Sequence, residues 1–227
     1  MLKAVIFDLD DTLYDQAPYI DQGFQAVARK IQKDFGLGGP KGAAILKKMR
    51  DLYKTNNRLR IFNQVLEYFF SDISPKAINE YVERELLYYY KLCPRKISLR
   101  PQARTLMTFL RKRKMALGLV TQGNPVDQTN KLFELGLMDA FDAIEISGYY
   151  PSSKAKPNPF MFKRVLDRLK ATPDEAIYVG NDLLKDIGAL KAGMTFFYLV
   201  PSQNAIIPQD LRIKTIYQLS ELRKEFK

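Results

Sequence analysis

The sequence predicts an α/β protein: a doubly wound parallel sheet forms the core, and a small helical-bundle cap domain is inserted into it. From residue 102 onward, helical patterns alternate with short apolar strands. Such alternation is typical of a parallel sheet with right-handed crossovers, covered by helices. Another apolar strand opens the chain, and residues 16–90 between it and the alternating part contain no convincing strand. The first strand must therefore join the sheet across a helical insertion.

The first strand is defined by four consecutive apolar residues, Ala4 to Phe7, which indicate burial on both faces. The acidic residues Asp8, Asp10, Asp11 and Asp15 follow it, at the end of the strand where an open parallel sheet binds ligands. Carboxylates this close repel one another unless they turn into water or share a cation. We expect a metal site here, with Asp11 and Asp15 solvated or starting the next helix.

The insertion has the pattern of a helical bundle. Apolar residues from Ile20 to Ile31 recur at helical spacing, and the glycine-rich segment 36–40 ends this helix. Further helices are predicted at 41–53, at 59–70 after a turn at Asn56-Asn57, and from the Ser74-Pro75 cap to about Tyr90.

The alternating part supplies the rest of the core. Its predicted elements are, in order, a helix at 102–114, a strand at 116–120, a helix at 126–135, a strand at 143–146, a helix from Asn158-Pro159 to 170, a strand at 176–179, a helix at 183–192, a strand at 195–200 and a helix at 217–225. This organisation predicts a core domain of residues 1–15 plus 95–227 and a cap domain of residues 16–94.

The composition excludes several kinds of active site. The chain has no histidine, which excludes Ser-His-Asp and Cys-His catalysis and zinc sites built on imidazole. Its one cysteine, Cys93, cannot form an internal disulfide, and we expect a buried spectator thiol there. Acid–base chemistry must then rest on carboxylates, lysine or tyrosine.

The net charge of +11 does not by itself indicate nucleic-acid binding, because the basic residues are dispersed or lie at the ends of predicted helices. No apolar run approaches the ~18 residues that a membrane-spanning helix needs, and the first strand follows the initial methionine with no signal-peptide pattern. We expect a cytoplasmic protein with no nucleic-acid or membrane partner.

Polar clusters follow the predicted strands. They are Asp8 to Thr12, Thr121 to Asn124, Lys154 to Pro159 and Gly180 to Asp186. In a parallel sheet the ends of these strands meet at one edge. Carboxylates, a hydroxyl and a lysine around one pocket are suited to phosphoryl transfer, in which positive groups and donors stabilise the phosphate charge.

These clusters resemble the four ordered motifs of the haloacid dehalogenase superfamily of hydrolases, most of which are magnesium-dependent phosphatases. The matching residues are Asp8-Leu9-Asp10-Asp11-Thr12, Thr121, Lys156-Pro157, and Gly180-Asn181-Asp182 with Asp186. The resemblance covers the core from end to end. It implies a Rossmann-like core and a cap, inserted after the first motif, that gates the pocket and reads the leaving group of the substrate.

The resemblance also implies catalytic roles. Asp8 would be the nucleophile that forms an aspartyl-phosphate, and Asp10 would protonate the leaving alkoxide and then deprotonate the attacking water. Thr12 would steady Asp10 or the loop. Lys156 would neutralise Asp8 and the phosphate, while Lys154 would be a solvated neighbour.

The phosphoryl oxygens would be bound by Thr121 and by the main chain of the residues after it, Gln122, Gly123 and Asn124, together with Lys156. The expected substrate is a small phosphorylated metabolite.

Magnesium is the cofactor that the resemblance implies. Its ligands would be the Asp8 carboxylate, the main-chain carbonyl of Asp10 and Asp182, with Asp186 as a neighbouring or alternative ligand. The family most often has aspartate where this chain has Asn181, whose amide oxygen is a further candidate.

Other functions are also consistent with the sequence. A 2-haloacid dehalogenase of the same superfamily does not require a second carboxylate as acid, so Asp10 favours a phosphatase. A sugar-phosphate mutase shares all four motifs. A non-catalytic polyanion-binding protein would use the positive charge, but the acid pair Asp8 and Asp10 repels polyanions.

The cap is expected to face the pocket with polar residues, for which Tyr14, Tyr19, Asn56, Asn57 and Arg58 are candidates. Its aromatic residues are more simply explained as its own core or as an oligomer contact. They are Tyr53, Phe62, Tyr68-Phe69-Phe70 and Tyr88-Tyr89-Tyr90. Both a monomer and a homodimer are compatible with the sequence.

Overall fold

The computed structural model describes residues 1–55, 60–201 and 209–226. The chain divides into two compact units, one formed by Met1–Gln16 with Ile97–Lys227 and the other by Ala17–Lys96. The sequence-based boundaries lie within two residues of these limits. Asn56, Asn57 and Arg58, candidates for the pocket, lie outside the described residues.

The larger unit is built on a parallel sheet, which confirms the predicted fold class. Its strands are β1 (Ala4–Phe7), β2 (Ala116–Thr121), β3 (Ala143–Ile146), β4 (Ala176–Gly180), β5 (Thr195–Leu199) and β6 (Ile213–Ile216). Their order is β3-β2-β1-β4-β5-β6, and every neighbouring pair is parallel. The first strand therefore lies in the middle of the sheet, between strands that come much later in the chain.

Helices connect the strands of this unit. They are α6 (Pro101–Lys112), α7 (Pro125–Glu134), α8 (Phe160–Leu169), α9 (Leu183–Asp186) and α10 (Gly188–Lys191). The single helix predicted at 183–192 is interrupted at Ile187, and the predicted C-terminal helix is a 3₁₀ helix at Leu219–Phe226. Four-residue helices such as α9 and α10 are held by their packing, because isolated helices of that length are unstable.

The edge strand β6 is absent from the sequence-based prediction. It has only four residues, and Lys214 within it is exposed. Within the described part of the chain it pairs with β5 alone, with Phe196 opposite Ile213. A short edge strand has neither the long apolar run nor the strict alternation that identifies a strand in a sequence.

The core of this unit lies between the sheet and the helices packed on it. All four residues of β1 are fully buried, as their apolar run predicts. Ile6 belongs to the same buried cluster as Phe162 and Val165 of α8 and Phe196 of β5. This packing fixes the strand ends from which the polar clusters project.

The smaller unit is helical. Its helices are α1 (Gln16–Asp34), α2 (Gly39–Lys54), α3 (Ile61–Phe69), α4 (Pro75–Tyr81) and α5 (Leu87–Leu92), with a π-helical turn at Val82–Leu86 between the last two. The Ser74 side chain accepts a hydrogen bond from the Ala77 N–H, which confirms the predicted cap.

The aromatic residues of this unit divide between core and surface. Phe62 and Phe70 are buried, and Phe24 packs edge-on against Tyr53 and Phe62. By contrast, Tyr68 and Tyr88 are each about two-thirds exposed. The prediction was that these aromatic residues form the core of the unit or an oligomer contact. Phe62 and Phe70 lie in the core, and an oligomer contact at the exposed tyrosines stays a prediction.

Among the described residues, no helix is both long and apolar enough to span a membrane.

Two glycines provide a test of the packing. A Cβ added at Gly118 would lie 2.9 Å from Val165 Cγ2 and 3.0 Å from Ile6 Cγ1, whereas a Cβ at Gly39 would meet nothing within 4 Å. We expect Gly118→Ala to lower the free energy of unfolding by about 1–3 kcal/mol, because β2 and α8 must move apart. Gly39→Ala, in the first turn of α2, should be neutral or stabilising. Urea unfolding of both variants measures the difference, and equal effects would contradict this packing.

Candidate active site

The polar clusters meet because of the register of the three central strands. Phe7 of β1 lies opposite Leu119 of β2 on one side and Val179 of β4 on the other. All three strands run in the same direction, so the segments that follow them begin at the same edge of the sheet. Asp8 follows β1, Thr121 ends β2, and Gly180 ends β4.

Lys156 is the centre of the site. Its ammonium group lies 2.6 Å from Asp8 Oδ1, 2.9 Å from Asp186 Oδ1 and 2.6 Å from the hydroxyl oxygen of Tyr178. These contacts use all three N–H donors of a lysine. The side chains of Lys156, Asp8 and Asp186 are at most 10% exposed. The prediction of Lys156 over Lys154 agrees with this placement, since Lys154 is exposed.

Tyr178 is a site residue that the sequence did not identify. Its hydroxyl donates to Asp186 Oδ1 at 2.8 Å while accepting from Lys156. Burial, together with the carboxylates of Asp186 and Asp8, raises the pKa of the Tyr178 phenol well above its usual value, so it remains a donor. In the sequence this tyrosine is one more large residue of a buried strand. Only the structure shows that its hydroxyl reaches the acid–lysine pair.

The electrostatics of the cluster favour a protonated lysine. Although burial lowers the pKa of Lys156, the carboxylates of Asp186 and Asp8 raise it above its usual value. Burial raises the pKa of Asp8 to about 7. The Lys156 ammonium lowers this pKa, whereas the carboxylates of Asp186 and Asp10 raise it further. A buried carboxylate that shares one cation with a second acid is poised to lose its proton near neutral pH.

Thr12 contacts Asp8 and Asn181 rather than Asp10. Its hydroxyl oxygen lies 3.4 Å from Asp8 Oδ2 and 3.3 Å from Asn181 Oδ1. The Asn181 amide oxygen and Asp8 Oδ2 therefore lie near the same hydroxyl group. Thr12 thus connects the loop after β1 with the loop after β4.

Asp182 and Asp186 have structural partners of their own. Asp182 caps α9, where Oδ1 accepts from the N–H groups of Leu184 and Lys185 and Oδ2 lies 2.9 Å from the Lys185 ammonium. Partial burial raises the pKa of Asp182, but hydrogen bonds from Lys185 outweigh it and lower the pKa below its usual value. Asp186 accepts from the Asp182 N–H through Oδ2 at 3.1 Å. Its role as a metal ligand stays a prediction, as does that of Asp182.

Gly180 permits the approach of Asp186 to the strand end. A Cβ at this position would lie 2.2 Å from Asp186 Oδ2. Any larger residue would displace the carboxylate from Lys156 and Tyr178.

The Thr121 hydroxyl, at the end of β2, is buried and has no protein partner among the described residues. Thr121 is fully buried, and its Oγ1 has no hydrogen-bond partner within residues 1–55, 60–201 and 209–226. A buried hydroxyl without a partner costs free energy unless a ligand or water binds it. This is the property expected of a residue that binds a phosphoryl oxygen.

Unlike the Thr121 hydroxyl, polar groups of the three residues after it have protein partners. The Asn124 amide oxygen accepts from the Val126 N–H and caps α7, and the Gly123 N–H donates to Ser147 Oγ at 3.0 Å. Gln122 is exposed, and its carbonyl oxygen accepts from the Gln128 side chain. The predicted phosphate-binding roles of Gln122, Gly123 and Asn124 stay predictions, although the Gly123 N–H and the Asn124 amide oxygen are already engaged.

Asp10 lies among three donors, Tyr14, Gln128 and Lys131, of which the sequence analysis named Tyr14 as a candidate to face the pocket and did not identify the other two. Its Oδ1 accepts from the Tyr14 hydroxyl and lies 2.7 Å from Lys131 Nζ, and its Oδ2 accepts from Gln128 Nε2 at 3.1 Å. Gln128 and Lys131 lie three positions apart on α7 and are both buried. In the sequence, two polar residues at this spacing on the predicted inner face of a helix are the signal that could have identified these donors.

Two nearby acids have other surroundings, as expected. Asp15 is exposed, and Asp11 Oδ1 accepts from the N–H of Gln16, the first residue of α1. Tyr14 and Tyr19 were both predicted to face the pocket. Tyr14 contacts Asp10, whereas the ring of Tyr19 stacks on the guanidinium of Arg95 in the smaller unit.

Comparison with known proteins identifies the family. The family model described as haloacid dehalogenase-like hydrolase matches residues 2–193. The chain belongs to the haloacid dehalogenase-like hydrolases.

Three relatives of this hydrolase family illustrate its range. A glyceraldehyde 3-phosphate phosphatase of Methanopyrus kandleri is 32% identical over 86% of this chain and 82% of its own length. A HAD phosphatase structure from Thermococcus onnurineus is 26% identical with a TM-score of 0.66, covering 99% of this chain and 98% of its own. A 2-haloacid dehalogenase structure from Pseudomonas syringae is also 26% identical, with a TM-score of 0.64 and 100% and 98% coverage. The structures similar to this haloacid dehalogenase-like chain therefore include both a phosphatase and a dehalogenase.

The raised pKa of Asp8 predicts an unusual pH dependence of stability. The folded state keeps a proton on Asp8 up to about pH 7, whereas the unfolded chain loses it near 3.8, so raising the pH through this window destabilises the folded state. Asp8→Asn removes the effect. The measurement is the difference in unfolding temperature between Asp8→Asn and wild type, in metal-free buffer with a chelator. We expect the variant to gain about 4–8 °C on wild type between pH 5 and pH 8, because wild type loses roughly 2 kcal/mol of unfolding free energy over this range.

Asp15→Asn is the matched control for this measurement, because Asp15 is exposed. A constant difference between Asp8→Asn and wild type across this pH range would contradict a raised pKa of Asp8.

Proposed function

We propose that the protein is a magnesium-dependent phosphatase that hydrolyses a small phosphorylated metabolite through an aspartyl-phosphate on Asp8. The observation that carries the proposal is the buried cluster of Asp8, Lys156 and Asp186 beside a buried Thr121 hydroxyl without a protein partner. One edge of the sheet thus carries a nucleophile, a fixed cation and a hydrogen-bond donor without a protein partner among the described residues. This combination is suited to phosphoryl transfer.

In the first half-reaction, an oxygen of the Asp8 carboxylate attacks phosphorus as the bond from phosphorus to the ester oxygen breaks. The leaving oxygen takes a proton from Asp10. Lys156 stabilises the phosphoryl charge from its position 2.6 Å from Asp8, and Thr121 donates to a phosphoryl oxygen. The products are the alcohol and an aspartyl-phosphate.

In the second half-reaction, Asp10 takes a proton from water and the water oxygen attacks phosphorus. The bond between phosphorus and the Asp8 oxygen breaks, which releases inorganic phosphate and restores the carboxylate. Asp10 therefore returns to the form in which it began. Two easier displacements replace one difficult displacement.

The donor set near Asp8 fits a magnesium ion. Within the described parts of the chain, no three His, Cys, Asp or Glu side chains converge as a metal cluster. Magnesium is commonly bound by one or two carboxylates with neutral oxygens and waters, however. Asp8 Oδ2 and Asn181 Oδ1, held on either side of the Thr12 hydroxyl, are such a pair, with the Asp10 carbonyl as a third candidate. When bound, the metal would screen the charge of the phosphoryl group.

The names of the relatives support a choice of substrate class. The Methanopyrus kandleri protein is named for glyceraldehyde 3-phosphate. We propose three-carbon sugar phosphates as the first substrates to examine, within a wider set of phosphorylated metabolites. A phosphatase is favoured over a dehalogenase because Asp10 provides the second carboxylate and Thr121 the unused donor.

The activity is tested by release of inorganic phosphate from a panel of sugar phosphates and p-nitrophenyl phosphate, with magnesium or with a chelator. Wild type should be active only with the metal, and Asp8→Asn should lose at least about 1,000-fold, because the nucleophile is missing. Asp15→Asn should keep wild-type activity. Activity that survives Asp8→Asn would refute the mechanism.

A parallel assay of halide release from 2-chloropropionate addresses the dehalogenase alternative. We expect none. Halide release that exceeds phosphate release would replace the proposed reaction.

The metal ligands are tested by the rise in unfolding temperature that magnesium causes, which needs no turnover. If Asn181 is a ligand, Asn181→Ala should weaken magnesium binding by about tenfold or more, and Asn181→Asp should strengthen it. Asp182→Asn is the matched control, because asparagine keeps the cap of α9. The reverse pattern, with the loss in Asp182→Asn, would assign the metal to Asp182.

A further inference from the structure

We infer that Lys131 is a positioning residue for the reaction: it fixes Oδ1 of Asp10, so that Oδ2 is the oxygen that exchanges a proton with the leaving group. The inference rests on the proposed function. It concerns a residue of α7, outside all four motifs.

The contact geometry separates the two oxygens of Asp10. Oδ1 is bound by the Lys131 ammonium at 2.7 Å and by the Tyr14 hydroxyl. Among the described residues, Oδ2 has a single donor, Gln128 Nε2 at 3.1 Å. An oxygen held by a cation and a phenol is poorly placed to exchange protons. The other oxygen has lone-pair capacity left for a proton and a substrate.

Exposure shows that Lys131 acts through Asp10. The Lys131 side chain is 5% exposed, whereas the Asp10 side chain is 17% exposed. A substrate can therefore reach the carboxylate while the ammonium remains covered. Burying an ammonium is costly unless a carboxylate is bound to it, and a lysine placed only for packing would be replaced by an apolar residue at less cost.

The loop after β2 is built around this arrangement. A Cβ at Gly123 would lie 2.3 Å from Gln128 Nε2, so a larger residue there would shift that side chain from its present contacts with Asp10 and the Gln122 carbonyl. Gln128 and Lys131 then approach the carboxylate from one face of α7, while Tyr14 approaches from its own segment.

This geometry predicts a dependence on the leaving group. The alkoxide of an alkyl phosphate must be protonated as it departs, whereas a nitrophenolate leaves without a proton. Loss of the residue that orients the acid should therefore impair alkyl phosphates selectively. The ratio kcat/KM reports only steps up to the first phosphoryl transfer, so the later attack of water does not enter it.

The experiment compares kcat/KM for glycerol 3-phosphate and 2,4-dinitrophenyl phosphate in wild type, Lys131→Met, Lys131→Arg and the exposed control Lys163→Met. Methionine has nearly the volume of lysine, so the core is retained. In Lys131→Met we expect a loss on the order of 100-fold for the alkyl ester and less than about fivefold for the aryl ester. Lys131→Arg should recover most of the loss, and Lys163→Met should equal wild type.

Equal losses for both esters, or no recovery in Lys131→Arg, would overturn the inference while leaving the phosphatase intact. Wild type inactive on both esters would instead refute the proposed function. A crystal structure of Lys131→Met gives an answer that needs no activity. A displaced Asp10 carboxylate supports the positioning role, and one that stays in place, bound to Tyr14 and Gln128, contradicts it.

Discussion

The buried contact of Lys156 with two carboxylates and the Tyr178 hydroxyl determines the architecture of the site. Its members come from the end of β1, the loop before α8, β4 and the end of α9, so the contact forms only when the central strands are paired in register. Removing one partner from such a buried pair typically costs about 3–5 kcal/mol, because the remaining charge is left uncompensated. The cluster is therefore both the chemical centre of the sheet edge and a constraint on how the segments meet.

Much of this fold was predictable because its signals are local. Strand β1 is a continuous apolar run between charged residues, and the ranges of β1 and β3 were predicted exactly as the structure has them. The acids of the first motif, Thr121 and Lys156 were identifiable because each follows a predicted strand or stands in a distinctive context. Parallel pairing then places strand ends together regardless of their separation in the chain.

The remainder depended on tertiary contacts that leave little trace in one sequence. The short edge strand β6 and the interrupted helix at Ile187 have weak periodicity. Tyr178 lies among the apolar residues of a strand, and Lys131 follows polar residues of α7. The role of each polar group becomes apparent only when its partner across the site is known. Asp182 shows the opposite case: its place in the motif that begins at Gly180 suggested a ligand, but a residue at a helix start is also an effective cap.

The two acids of the first motif each have a lysine of their own. Lys156 is bound to Asp8 and Lys131 to Asp10, and Asp186 shares the first of these lysines. With all five groups ionised, three carboxylates face two ammonium groups, which leaves one net negative charge. That residual charge contributes, with burial, to the raised pKa of Asp8. A divalent cation and a phosphate dianion cancel each other's charge, so a site that binds both keeps one net negative charge. Because each acid has its own cation, the nucleophile and the proton donor can lie two residues apart without collapsing into one shared proton.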